Sequence, residues 1–173
     1  MPKCKICKTK FEAKFFLQKA CLDPKCLAEW SRLDRENKAD IKHVKRKKEY
    51  YDNDRATRTE AAQKSFNAYI RFRDSNDSCI SCNRSTGCKV NAGHYKSVGS
   101  SPELRFNELN VHLQCEHCNL FKSGNIENYR INLINKIGAE SVEWLEGPHE
   151  PKKYTCEELK EIELKYKQKK ALN

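Results

Sequence analysis

Residues 27–73 contain neither glycine nor proline. Within them Ala62, Phe66, Tyr69 and Ile70 recur at three- and four-residue spacing, which predicts an amphipathic helix over 56–72 with one buried face. Upstream the pattern is polar on every side and most basic at 42–48, so this part reads as exposed helix. Tyr50-Tyr51-Asp52-Asn53-Asp54 predicts a break between the two. Beyond the turn cluster at 74–78 the period shortens. Val90–Val98 predicts a strand carrying His94, Gly99-Ser-Ser-Pro102 a loop, and Leu109–Gln114, where Val111 and Leu113 alternate, a second strand. A helix is expected to start near Cys118. Tyr129, Leu133, Ile134 and Ile137 place another over 128–137, stopped by Gly138. Thr155-Cys-Glu-Glu158 is a capping box, which predicts a last helix to about Lys170 with Leu159, Ile162 and Tyr166 buried.

The pattern gives an α+β protein in four parts: a cysteine knuckle at 1–30, a basic helical connector at 31–73, a strand–strand–helix core at 74–125, and a helical part at 126–173. Composition then constrains what holds it together. Of the 173 residues 34% are charged and only 38% hydrophobic, so the buried core is modest and metal staples are expected. The net charge of +10 favours a polyanionic partner such as nucleic acid. The first residues lack the apolar run of a secretory signal, and no stretch reaches the roughly 18 apolar residues of a membrane span, so no membrane partner is expected.

Ten cysteines then become informative. In a reducing compartment paired cysteines indicate metal rather than disulfides. Cys4-Lys-Ile-Cys7 with Cys21-Leu-Asp-Pro-Lys-Cys26 forms one set of four. Cys79-Ile-Ser-Cys82 with Cys115-Glu-His-Cys118 forms another. Each suits a closed tetrahedral zinc site that leaves no position for substrate, so both zincs would be structural. Phe11, Phe15, Phe16 and Leu17 are expected to form a very small core around the first. Cys88 and Cys156 belong to no pair; Cys88 reads as a free thiol and Cys156 as a buried residue in the first turn of a helix.

Between the knuckles of the second set lies His94, and Asn119 directly follows Cys118. Phosphodiester hydrolysis needs a base to activate water, a cation to neutralise the charge building on phosphate, and donors that hold the backbone. A neutral imidazole is available near pH 7, which makes His94 the candidate base. The Asn119 side-chain oxygen suits a hard divalent cation, Mg²⁺ or Mn²⁺. Arg105 and Lys122 are candidate phosphate clamps, and Lys45, Arg46, Lys47 and Lys48 candidate contacts to the DNA backbone. Leu104 and Phe106 read as core.

Gly93-His94-Tyr95 followed by Asn110-Val-His-Leu-Gln-Cys115-Glu-His-Cys118-Asn119 resembles the zinc-bearing HNH, or ββα-metal, nucleases over about residues 76–125. The resemblance implies that His94 is the general base, that Asn110 steadies the loop presenting it, and that Asn119 ligates the catalytic metal. A wider resemblance, to the NinG (Rap) family of lambdoid phage recombination endonucleases, is carried by Phe66-Asn-Ala-Tyr-Ile-Arg71, Cys79-Ile-Ser-Cys82, Ala92-Gly-His-Tyr95, Leu104-Arg-Phe-Asn-Glu108, Asn110-Val-His112 and Cys118–Asn125. It implies a structure-specific endonuclease that cuts D-loops and Holliday junctions in the host cytoplasm beside phage recombination proteins. Cutting two opposed strands favours a homodimer. One departure stands out: Gly93 occupies the position where many HNH enzymes carry an acidic or histidine metal ligand. Asn91, His112 and His117 are candidates to replace it. The competing expectations are a zinc-stapled DNA-binding accessory protein that does not cut, and a restriction-type nuclease acting on linear duplex.

Overall fold

The computed structural model describes residues 1–85 and 87–172, which divide into two units, Met1–Tyr51 and Asp52–Asn173. In the first unit Lys3 and Lys10 bridge antiparallel, and the Cys4 amide donates to the Thr9 carbonyl at 2.8 Å, folding the first knuckle into a tight turn. Helix α1 spans Pro24–Asn53. Its start is defined by Asp23, whose carboxylate accepts the amides of Lys25 and Cys26, and by Pro24 at the first helical position. Cys26 is its one buried residue; beyond the knuckle α1 carries ion pairs of Arg32 with Glu29 and Glu36 and of Lys38 with Asp34 along an exposed surface.

The small core of this unit is Cys4, Ala20 and Cys26, with Ile6, Phe11, Cys21 and Trp30 against it. Of the apolar residues expected there, only Phe11 joins. Phe15, Phe16 and Leu17 are 67%, 94% and 66% exposed. They sit on a turn closed by the Gln18 side chain on the Lys14 amide, with Leu17 at φ +61°, and that turn points them outward.

In the second unit Asp54 caps helix α2, Arg55–Arg73, accepting from the Thr57 amide and hydroxyl. The segment 31–73 is therefore not one connector. Its second half is core: Ala62, Phe66 and Ile70 bury against Phe106, Val111, Leu159 and Tyr166, with Phe66 edge-on to Phe106 and Tyr166. Leu159 and Tyr166 come from helix α5, Cys156–Ala171, which starts at the full capping box of Thr155 and Glu158.

Strands β1, Val90–His94, and β2, Val111–Cys115, form an antiparallel pair that matches Ala92 with Leu113 and Gly93 with His112. Strand β1 stops at His94, four residues before the expected end. The Asn110 side chain brackets the peptide of Lys96, accepting from its amide at 2.8 Å and donating to its carbonyl at 3.0 Å, and this turns the chain out of the ladder. Every residue of β2 is buried. A second cluster of Ile80, Tyr95, Leu104, Tyr129, Leu133, Val142 and Leu145 packs helices α3, Ile126–Ile137, and α4, Ala139–Glu146, and β2 meets it where the His112 ring stands edge-on to Tyr129. Gly138 at φ +87° separates these two helices. A π-helical turn, His117–Phe121, replaces the helix expected at Cys118. No helix among the described residues is long and apolar enough to cross a membrane.

Candidate active site and metal centres

The two cysteine sets predicted from spacing each converge, with all four Sγ atoms of a set within 4.8 Å of one another. Zinc–sulfur bonds of about 2.3 Å in a tetrahedron place sulfurs about 3.8 Å apart. Cys7 and Cys21 stand at 3.8 Å, Cys82 and Cys115 at 3.7 Å. Backbone amides also point at sulfur: Cys21 at the Cys4 thiol and Cys118 at the Cys115 thiol, both at 3.4 Å, and the Asn125 amide group lies 3.7 Å from Cys118. Such donors stabilise thiolates. Burial pushes the Cys118 thiol up to about 12, while at Cys115 the same burial is outweighed by the Cys118 amide and neighbouring thiols, which bring it down to about 7. Four crowded thiols cannot all ionise unaided, and a dication held by both sets removes that conflict; the residues present fit zinc. Cys88 packs against the second cluster without joining it. Cys156 is half-buried rather than buried, its thiol 3.5 Å from the Asn53 carbonyl.

The second cluster braces one end of the β1–β2 pair. At the other end of β1 is His94. Its Nε2 lies 3.0 Å from the Arg105 carbonyl. A carbonyl only accepts, so Nε2 carries the proton and Nδ1 is left with a free lone pair. Burial holds the imidazole below its ordinary value, so it is neutral at pH 7. His94 and Asn119 line a single pocket of about 520 Å³, together with Lys96, Ser97, Ser123 and Gly124. The π-helical turn brings Asn119 there, with Cys118 beside it in the sulfur cluster. Asn110 is fully buried beneath the pocket, and its remaining hydrogen bond runs to the Leu104 carbonyl. It holds the 95–105 segment and does not reach the pocket.

Asn91 is not brought to this pocket. It is three residues from His94 on the same strand, so its side chain leaves the opposite face, and it pairs in register with Gln114. Gly93 is covered by the same glutamine: a Cβ there would meet Gln114 Oε1 at 2.1 Å. Gln114 is fully buried and donates to Ser81 Oγ and the Gly124 carbonyl, while its Oε1 has no partner among the described residues. Spacing alone gave no sign of this contact, which explains why position 93 carries no ligand.

His112 is also committed elsewhere. It is buried, its Nε2 3.1 Å from the Leu109 carbonyl and its Nδ1 3.1 Å from Arg73. Asp74 completes the group, accepting from Arg73 and from the Leu113 amide, and burial outweighed by Arg73 and His112 leaves its carboxyl well below the usual range. The sequence reading took Asp74 as a turn residue. His117 is exposed beside Phe121, and Lys122 is exposed outside the pocket. Lys45, Arg46, Lys47 and Lys48 are exposed on α1. Arg105 holds His94 through its carbonyl, while its side chain lines a second groove.

Protein ninG of Escherichia phage 933W and that of Escherichia phage lambda are each 47% identical over 108 residues, which is 62% of this chain and 54% and 53% of the relatives; that of Salmonella phage P22 is 45% identical over 108 residues. The chain thus spans about half the length of the curated relatives it matches. No solved structure matches it. Residues 1–173 match the family described as Bacteriophage Lambda NinG protein, and the chain belongs to the NinG family.

Proposed function

We propose that the protein is a metal-dependent DNA endonuclease with an HNH-like ββα core, and that it cuts branched recombination intermediates such as D-loops and Holliday junctions. The observation that carries the reading is one pocket lined by a neutral histidine with a free ring nitrogen and by an asparagine on a turn locked to a four-thiol cluster. Nδ1 of His94 takes the proton of a water as it attacks phosphorus, and the Arg105 carbonyl keeps the ring in the tautomer that allows this. Lys96, Ser97 and Ser123 supply donors to the phosphate oxygens. Asn119 Oδ1 would hold Mg²⁺ or Mn²⁺, which when bound neutralises charge on the phosphate and leaving oxygen. Zinc in each cysteine set is structural. Branched DNA is the substrate that the family resemblance implies, with phage recombination proteins as partners and a homodimer as the form able to cut two strands.

One observation favours the second reading, a binding protein that does not cut: with Gly93 covered by Gln114 and Asn91 facing away, Asn119 is the only ligand of the expected set in the pocket. The test is cleavage of a labelled four-way junction, a D-loop and linear duplex with Mg²⁺ or Mn²⁺, comparing wild type with His94→Ala. The nuclease reading expects branched DNA to be cut by wild type, and bound but left intact by the variant. Binding without cutting by both, under either metal, overturns it in favour of the accessory protein.

A further inference from the structure

A second groove of the second unit lies apart from the His94 pocket. It has a volume of about 910 Å³ and lies between the outer face of α2 and the segments around Pro102 and Lys153. Five cations line it, Arg55, Lys64, Arg105, Lys152 and Lys153, against one carboxylate, Glu60. Lys152 is occupied by Glu158 at 3.1 Å and by the Tyr154 ring. The side chains of Arg55, Lys64, Arg105 and Lys153 have no carboxylate or hydrogen-bond partner among the described residues. Leaving four cations unpaired around one concavity costs mutual repulsion, which a bound polyanion relieves.

Two features say what the anion is. From Arg55 to Lys64 is nine residues of helix, about 13.5 Å. That is too long for one phosphate and suits several in a row along a strand, which repeats every 3.4 Å of helix axis. The groove also joins the candidate active site through one residue: Arg105 lines it and holds the His94 ring with its carbonyl. The 97–105 segment runs from the His94 pocket, which Ser97, Val98 and Ser100 line, to the groove, which Pro102 and Arg105 line.

We infer that this groove binds the phosphodiester backbone of one DNA strand flanking the phosphate presented to His94, with Arg55, Lys64 and Lys153 as its contacts. The inference rests on the reading that the protein acts on DNA, but not on its cutting it. Backbone contacts of this kind carry no sequence preference; they set affinity and register.

The test is fluorescence-anisotropy binding of a labelled four-way junction and a labelled single strand by the zinc-loaded full chain, over a series of salt concentrations. Wild type is compared with the triple variant Arg55→Ala, Lys64→Ala, Lys153→Ala and with a charge-matched control, Lys89→Ala, Lys160→Ala, Lys170→Ala. All three groove side chains are exposed and unpaired, so the variant keeps its fold, and an unchanged thermal melt and zinc content check this. Each lost contact flattens the slope of log K against log salt by about 0.7 for a single strand and 0.9 for duplex. The expected result in the groove variant is a slope shallower by about 2 on the single strand and by about 2.7 on the junction, whose arms are duplex, and a nearly unchanged slope in the control. A wild-type slope in the groove variant would overturn the groove itself. Wild type that binds DNA but cuts none leaves this result standing and removes only the nuclease reading; wild type that binds no DNA removes both.

Discussion

Replacing Gly93 with alanine is the sharpest probe of how the β1–β2 pair is built. The added methyl would sit 2.1 Å from Gln114 Oε1 and 2.9 Å from both its Cβ and Cδ. A carbon–oxygen contact normally lies beyond about 3.3 Å, so the glutamine must shift by more than 1 Å. It has nowhere cheap to go, because its amide nitrogen is tied to Ser81 Oγ at 2.6 Å and to the Gly124 carbonyl at 2.5 Å. Losing two buried hydrogen bonds costs about 1 kcal/mol each, and overpacking adds about 1–3 kcal/mol. The expected destabilisation is about 3–5 kcal/mol, read by urea titration of the zinc-loaded protein. In a Gln114→Gly background, which removes Oε1, Cδ and Cβ together, the clash is gone, and the same substitution should cost under about 1 kcal/mol. The coupling energy between the two positions is then about 2–4 kcal/mol. Equal cost in both backgrounds would refute the reasoning. By the same geometry, Gly93→Asp does not install a metal ligand, because its Cβ meets Gln114 first.

Metal analysis is expected to return two zincs per chain, and one after Cys79→Ser; one in wild type would refute either sulfur cluster. Asn110→Ala leaves the Lys96 peptide and the Leu104 carbonyl without their buried partners, which should cost about 2–3 kcal/mol in a denaturation curve and lower cleavage more than DNA binding. Hydrogen bonds from Arg130 and then Tyr95 lower Glu146 from 4.5 to about 2 in the folded state. A depressed carboxylate contributes stability that is fully present above about pH 4.5 and drains as pH falls toward 2, so Glu146→Gln should flatten the pH–stability curve in that window.

Local rules made much of this molecule legible. The cysteine spacings, the break before α2, the Thr155 cap, the Gly138 stop and the buried stripes of α2 and α5 all depend on residues within a turn or two of one another. What escaped depends on partners distant in sequence. The end of β1 is decided by Asn110, sixteen residues beyond His94. The covering of Gly93 is decided by Gln114, on the neighbouring strand. The role of α2 is decided by α5, since an amphipathic face does not say whether it meets solvent, DNA or another helix. Phe15, Phe16 and Leu17 were misplaced for a related reason: hydrophobicity favours burial, but a knuckle filled by four thiols has no interior left to offer. The pocket fared better, because His94 and Asn119 are both anchored to the second cysteine set.

That anchoring ties two chemistries together. Cys118 and Asn119 are consecutive, so one rigid peptide links a sulfur of the cluster to a wall of the pocket. Closing a disulfide would draw two sulfurs to about 2 Å, from the 3.7 Å that separates Cys82 and Cys115. A bond made by Cys118 would carry Asn119 with it. Among the described residues the pocket is lined by no thiol or thioether, yet it inherits the thiol chemistry of the cluster behind it: disulfide formation there would change the shape of the pocket without a reaction at any group lining it.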